Sequence, residues 1–87
     1  MRIKQWKSSQ NAECNAARDY LKDLGLLIKD LALEAKTQSV EKSTDFSIGY
    51  MAGFHRVVSL MQQQAETFGI SMEDIGLENI DPDKELV

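Results

Sequence analysis

The chain has 87 residues, 43% hydrophobic and 28% charged, with a net charge of −4 and a single cysteine. This is one domain at most, with no possible internal disulfide and, with His55 the only histidine, no Cys/His cluster of metal-ligand spacing. No segment approaches the roughly 20 apolar residues of a bilayer span. Residues 1–7 carry Arg2, Lys4 and Lys7 without a following apolar run, so no secretory leader is expected and the chain is assigned to the cytoplasm.

Residues 1–8 read as an arm in which Ile3 and Trp6 stand among basic and polar residues. A large aromatic on a short arm needs a surface to cover, which makes Trp6 a candidate contact residue. A long helix is predicted over 9–37, capped by Ser8 or Ser9. Its apolar seam is Cys14, Ala17, Leu21, Leu24, Ile28, Leu31 and Ala35, with unbroken steps of three and four. Gly25 lies inside this helix at a cost of up to about 1 kcal/mol relative to alanine. The seam keeps its register on both sides of Gly25, so the residue reads as tolerated within one helix.

Residues 37–45 form the polar turn. Thr44 or Asp45 caps a second helix over 45–69, with the seam Met51, Phe54, Val58, Met61, Ala65 and Phe68 and Gly69 as its stop. Ser71 restarts the chain, with Asp74 three residues on, and a short third helix is expected over 72–80. Residues 81–87 read as a frayed acidic tail. The whole is an all-α antiparallel hairpin with a short third helix, in one domain spanning 1–87.

One hairpin interface does not absorb all the apolar residues. The first helix also carries Tyr20, Leu26, Leu27 and Leu33, and the second Tyr50, Val57 and Leu60. Leaving such side chains wet forgoes roughly 1.5–3 kcal/mol each. Pairing two hairpins into a four-helix bundle would cover them, so a homodimer is the expected state. Trp6, Tyr20, Leu26, Leu27, Leu33, Tyr50, Val57 and Leu60, with Arg56 beside them, are the candidate interaction residues.

Chemistry-bearing motifs are sparse. Gly49 and Gly53 share a helical face and would permit close approach of a helix or ligand; the plainer reading is a loose first turn and room for a neighbour. Ala65, Gly69-Ile70-Ser71 and Ile75 together resemble the turn of helix-turn-helix proteins. The helix that would read DNA, however, carries Glu73, Asp74 and Glu78 and no Lys or Arg, and this face would repel phosphate. The Arg2, Lys4, Trp6 and Lys7 cluster suits single strands better but supplies only three charges. His55 has no carboxylate near it in sequence, and Cys14 has no basic cluster to activate it. Met51 and Met61 belong to the seam, and Gln62 to Gln64 make a neutral polar face.

The sequence therefore points to no catalysis, no cofactor and no metal. Chains of this size and plainness look like the small accessory or inhibitor proteins of phages and other mobile elements. The functional expectation is a non-catalytic module that binds and modulates another macromolecule, a protein rather than nucleic acid. The alternative is a helical oligomer enclosing a small molecule or nucleotide between Tyr20, Tyr50, His55 and Arg56.

Overall fold

The computed structural model describes the backbone of residues 3–87 and the side chains of residues 15–87. Cys14, Trp6 and the rest of the basic N-terminal cluster thus lie outside the described side chains. Helix α1 is Ile3–Glu41 and helix α2 is Asp45–Thr67; a 3-10 turn follows at Glu73–Ile75 and a one-turn helix, α3, at Pro82–Glu85. The described residues contain no strand. The fold is the all-α hairpin expected.

The first helix is longer at both ends than 9–37. Residues 3–8, expected as an arm, lie in α1, and no Gly or Pro stands there to oppose a helix. At the other end the helix continues through Thr37 and Ser39, whose hydroxyls fold back onto it. Thr37 Oγ1 donates to the Leu33 carbonyl at 3.1 Å and Ser39 Oγ to the Lys36 carbonyl at 2.8 Å.

The turn is closed by Thr44 and Ser47. Thr44 Oγ1 accepts from the Ser47 N–H at 3.0 Å, and Ser47 Oγ accepts from the Thr44 N–H at 2.9 Å. This is a capping box with Ser in place of Glu or Gln. Ser47 Oγ also donates back to the Lys42 carbonyl at 2.9 Å, which ties α2 to the end of α1. At its far end α2 stops at Thr67. Gly69 takes a φ of 69°, its N–H bonds the Glu66 carbonyl, and the Ile70 N–H reaches the Ala65 carbonyl at 2.8 Å. The pattern is a Schellman stop, with Gly at the left-handed position.

The two helices run antiparallel. Ser39 Oγ meets Met51 Sδ at 3.4 Å near the turn, while Leu21 and Ala65 share a cavity wall at the open end. On α2 the expected seam holds from Met51 to Ala65: Met51, Val58 and Ala65 are buried, with Phe54 and Met61 packed beside them. Phe68 lies past the helix end and is 73% exposed.

On α1 the buried line is displaced by one residue at two points. It runs Leu21, Gly25, Ile28, Ala32, Ala35, Ser39. Leu31, expected in the seam, is 46% exposed, and Ala32 is fully buried in its place. Steps of four and three are kept, but the helix is rotated so that its smallest residues face inward. Leu24 and Leu31 are turned toward one flank.

The C-terminal segment departs most from expectation. No helix spans 72–80. After the 3-10 turn, Gly76 (φ 72°) and Asn79 (φ 61°) both adopt left-handed backbone, which ends helical propagation. Nor are residues 81–87 frayed. Asp81 caps α3 by accepting from the Asp83 N–H at 3.1 Å, Pro82 occupies its first turn, and Glu85 accepts from the Asp81 N–H at 2.7 Å. Ile75, Leu77, Ile80, Pro82 and Leu86 are all buried. Their spacing of two, three, two and four fits no single helical face, but it suits an irregular chain laid along a groove.

Gly25 and Gly76 make this packing possible. A methyl group at Gly25 would collide with the Ile75 carbonyl oxygen, and one at Gly76 with the Lys22 carbonyl and, at 2.6 Å, the Leu26 nitrogen. Backbone rests on backbone, which requires glycine on both sides. Gly25 is therefore not a tolerated defect of the helix but the seat of the C-terminal segment.

Candidate interaction surface

The hairpin has two flanks, one on each side of the plane through its helix axes. Successive residues of a helix turn by about 100°, so the buried lines assign each remaining side chain to a flank. On one flank α1 presents Lys29, Leu33 and Lys36, and α2 presents His55 and Gln62. This is the flank that the C-terminal segment covers.

Polar side chains hold that segment by its backbone. Gln62 Nε2 donates to the carbonyls of Ile80 at 2.9 Å and Leu77 at 3.3 Å. Lys29 Nζ donates to the Glu78 carbonyl at 2.7 Å, and Lys36 Nζ to the Val87 backbone oxygen. His55 Nε2 lies 3.0 Å from Asp83 Oδ1, the one ion-pair geometry among the described residues. An irregular chain packed on a protein surface must find partners for its carbonyls, and these side chains supply them.

The opposite flank carries no segment among the described residues. From α1 it presents Tyr20, Leu24, Leu27, Leu31 and Gln38; from α2, Phe46, Tyr50, Val57 and Gln64, with Leu60 at the outer edge and Phe68 past the helix end. Tyr20 (68%) and Phe46 (79%) are among the most exposed large apolar side chains. The aromatics on α2 form a ladder. The Phe46 and Tyr50 rings stack with centroids 5.9 Å apart, and Tyr50 meets Phe54 edge-on at 5.3 Å. A shallow groove beside them is lined by Gly49, Tyr50, Gly53, Phe54 and Val57. A Cβ at Gly49 or Gly53 would meet nothing within 4 Å. No part of the described chain uses the room these glycines leave. At the open end of the hairpin, Leu21, Met61, Gln64, Ala65, Phe68, Ile70 and Ile75 line an apolar cavity of about 240 Å³.

The nine expected interaction residues thus separate. Tyr20, Leu27, Tyr50, Val57 and Leu60 lie together on or at the edge of the bare flank. Leu26 is exposed but stands on the other side, beside Gly76. Leu33 is drawn against the core and is not a surface residue of the kind expected. Arg56 is exposed on the outer side of α2, sharing a polar hollow with His55, Ser59 and Asp83. The Trp6 side chain lies outside the described ones. The sequence reading missed Leu31 and Phe68, which it assigned to the seams, and Phe46, although its place four residues before Tyr50 on the same face was a signal.

Tyr20, Tyr50, His55 and Arg56, the residues considered for a small-molecule site, do not converge, because His55 and the tyrosines occupy opposite flanks. No three His, Cys, Asp or Glu side chains among the described residues are grouped to hold a metal ion. No helix among them is long and apolar enough to cross a membrane. Comparison with protein-family models, with curated proteins and with solved structures finds no match.

Proposed function

We propose that this chain is a non-catalytic protein-interaction module, an accessory or inhibitor protein of the phage and mobile-element type. It acts in the cytoplasm by binding another macromolecule through the bare flank of its hairpin. The observation that carries this reading is the contrast between flanks. Eight of the thirteen exposed large apolar side chains among the described residues are gathered on one face of the two-helix scaffold, and contiguous exposure of this kind marks binding surfaces. A protein partner fits better than nucleic acid. The side of α1 next to the flank carries Asp23, Asp30 and Glu34, and the net charge is −4. The test is affinity capture from a bacterial lysate with the wild-type chain and with Leu27→Glu/Val57→Glu. A stoichiometric partner retained by the former and lost by the latter supports the reading; equal capture by both refutes it.

A second reading is a small-molecule-binding helical oligomer, favoured by the apolar cavity at the open end of the hairpin. The cavity, about 240 Å³, is below the range of roughly 300–1,000 Å³ usual for ligand sites. Thermal-shift screening against nucleotides and apolar metabolites tests it, and a flat response removes it.

A further inference from the structure

We infer that, until a partner displaces it, a second copy of this chain covers the bare flank, packed so that α1 of each copy lies on α2 of the other. The inference rests on reading that flank as a docking surface, and three observations select the occupant.

The first is the kind of surface. The covered flank holds an irregular segment, and it does so with Gln62, Lys29 and Lys36 reaching its carbonyls. The bare flank presents mainly rings and leucines, with Gln38 and Gln64 its two glutamines. With so few polar groups there, a partner satisfies most of its backbone itself, which is the property of a helix.

The second is the match between stripes. Leu21 stands level with Ala65 and Phe68, and Ser39 with Met51. On that register Tyr20 is level with Phe68, Leu24 with Gln64, Leu27 with Leu60 and Met61, and Leu31 with Val57. A twofold axis parallel to the helices lays each α1 residue of one copy over its level partner on α2 of the other. Tyr20, Leu27 and Leu31 then meet apolar partners, while Leu24 meets Gln64 and Tyr50 meets Gln38, and neighbouring helices all run antiparallel, as in a four-helix bundle. This arrangement also sets Tyr20 of one copy against Phe68 of the other, at the mouth of the apolar cavity.

The third is size. Tyr20, Leu27, Leu31, Phe46, Tyr50, Val57, Leu60 and Phe68 are each between 42% and 79% exposed. Together they offer on the order of 800 Å² per copy, the contribution of each partner to a stable interface of standard size.

Light scattering on the full chain at micromolar concentration is expected to give twice the 9.8 kDa of one copy. Leu27→Glu/Leu60→Glu is expected to give a monomer with unchanged helical circular dichroism. The packing is tested by disulfide trapping in a Cys14→Ser background. Chains carrying Leu31→Cys are mixed with differently tagged chains carrying Val57→Cys and then oxidised. Disulfides between unlike chains are expected. Disulfides only between like Val57→Cys chains would overturn the arrangement, and a monomeric wild-type protein would overturn the second copy as occupant. In the latter case capture of a foreign partner, lost with Leu27→Glu/Val57→Glu, would still support the interaction-module reading.

Discussion

The two flanks of the hairpin are built from the same two helices and differ in what they ask of a neighbour. The covered flank pairs a small residue, Gly25, with long polar side chains, Lys29, Lys36 and Gln62. The glycine admits another backbone to contact, and the polar groups satisfy that backbone once it is there. The bare flank has Gly49 and Gly53 at its groove and Gln64 in its cavity, but no backbone of the described chain rests on them. Its aromatics and leucines offer mostly apolar area, so it suits a helical neighbour packed through side chains. An apolar surplus on a helix therefore does not by itself say what will cover it; the polar and small residues among the surplus do.

The sharpest way to break the comparison is at the glycine crossing. Gly25→Val should expel the C-terminal segment, since the added side chain meets the Ile75 carbonyl. A loss of at least about 3 kcal/mol in urea unfolding is expected. Proteolysis within residues 72–87 should accelerate in parallel. Gly53→Ala, where a Cβ meets nothing, is the control and should be neutral or stabilising by up to about 1 kcal/mol.

Next in size are leucine truncations on the two flanks. Leu77 is fully buried and Leu86 nearly so. Replacing either with alanine should cost about 2–5 kcal/mol. Leu27→Ala should change the stability of the dilute single chain by within about 0.5 kcal/mol. If the second-copy packing holds, that small value grows with protein concentration, because dimerisation adds stability by mass action.

Smaller again is Gln62→Ala, which removes the donor to the Leu77 and Ile80 carbonyls. A cost of about 1–2 kcal/mol is expected, measured by denaturant unfolding. The smallest effect belongs to His55 and Asp83. Asp83 is largely exposed, so Asp83→Asn should shift stability by no more than about 0.5 kcal/mol. A larger loss would mean that the pair, rather than the apolar packing of Ile80 and Leu86, anchors α3.

Much of the hairpin was legible in the sequence because its signals are local or periodic. Thr44 caps α2 through atoms within three residues, and Gly69 stops it through atoms within five. The seam from Met51 to Ala65 is a single helical period. Two kinds of information were not legible. The α1 seam could be drawn through Leu24 and Leu31 or through Gly25 and Ala32 with equally good steps. The choice depends on what packs against the helix, and the nearest object is a turn some 50 residues away in sequence. The C-terminal segment was misread as a helix and a frayed tail because Ile75, Leu77, Ile80, Pro82 and Leu86 share no period. Their burial follows the shape of a groove that exists only once α1 and α2 have paired. The interaction residues were half legible for the same reason. Tyr20, Leu27, Tyr50, Val57 and Leu60 were found as surplus apolar positions, but Leu33 was not separable from them until the C-terminal segment was seen to occupy its side.

By itself, then, the sequence determined two helices, the turn between them and the surplus of apolar surface, since capping, glycine stops and 3.6-residue periodicity act within a few residues of chain. The tertiary structure alone decided which flank that surplus is left on. That choice rests on contacts between residues far apart in the chain, Gly25 against Gly76 above all, and contact at a distance leaves no period in a sequence.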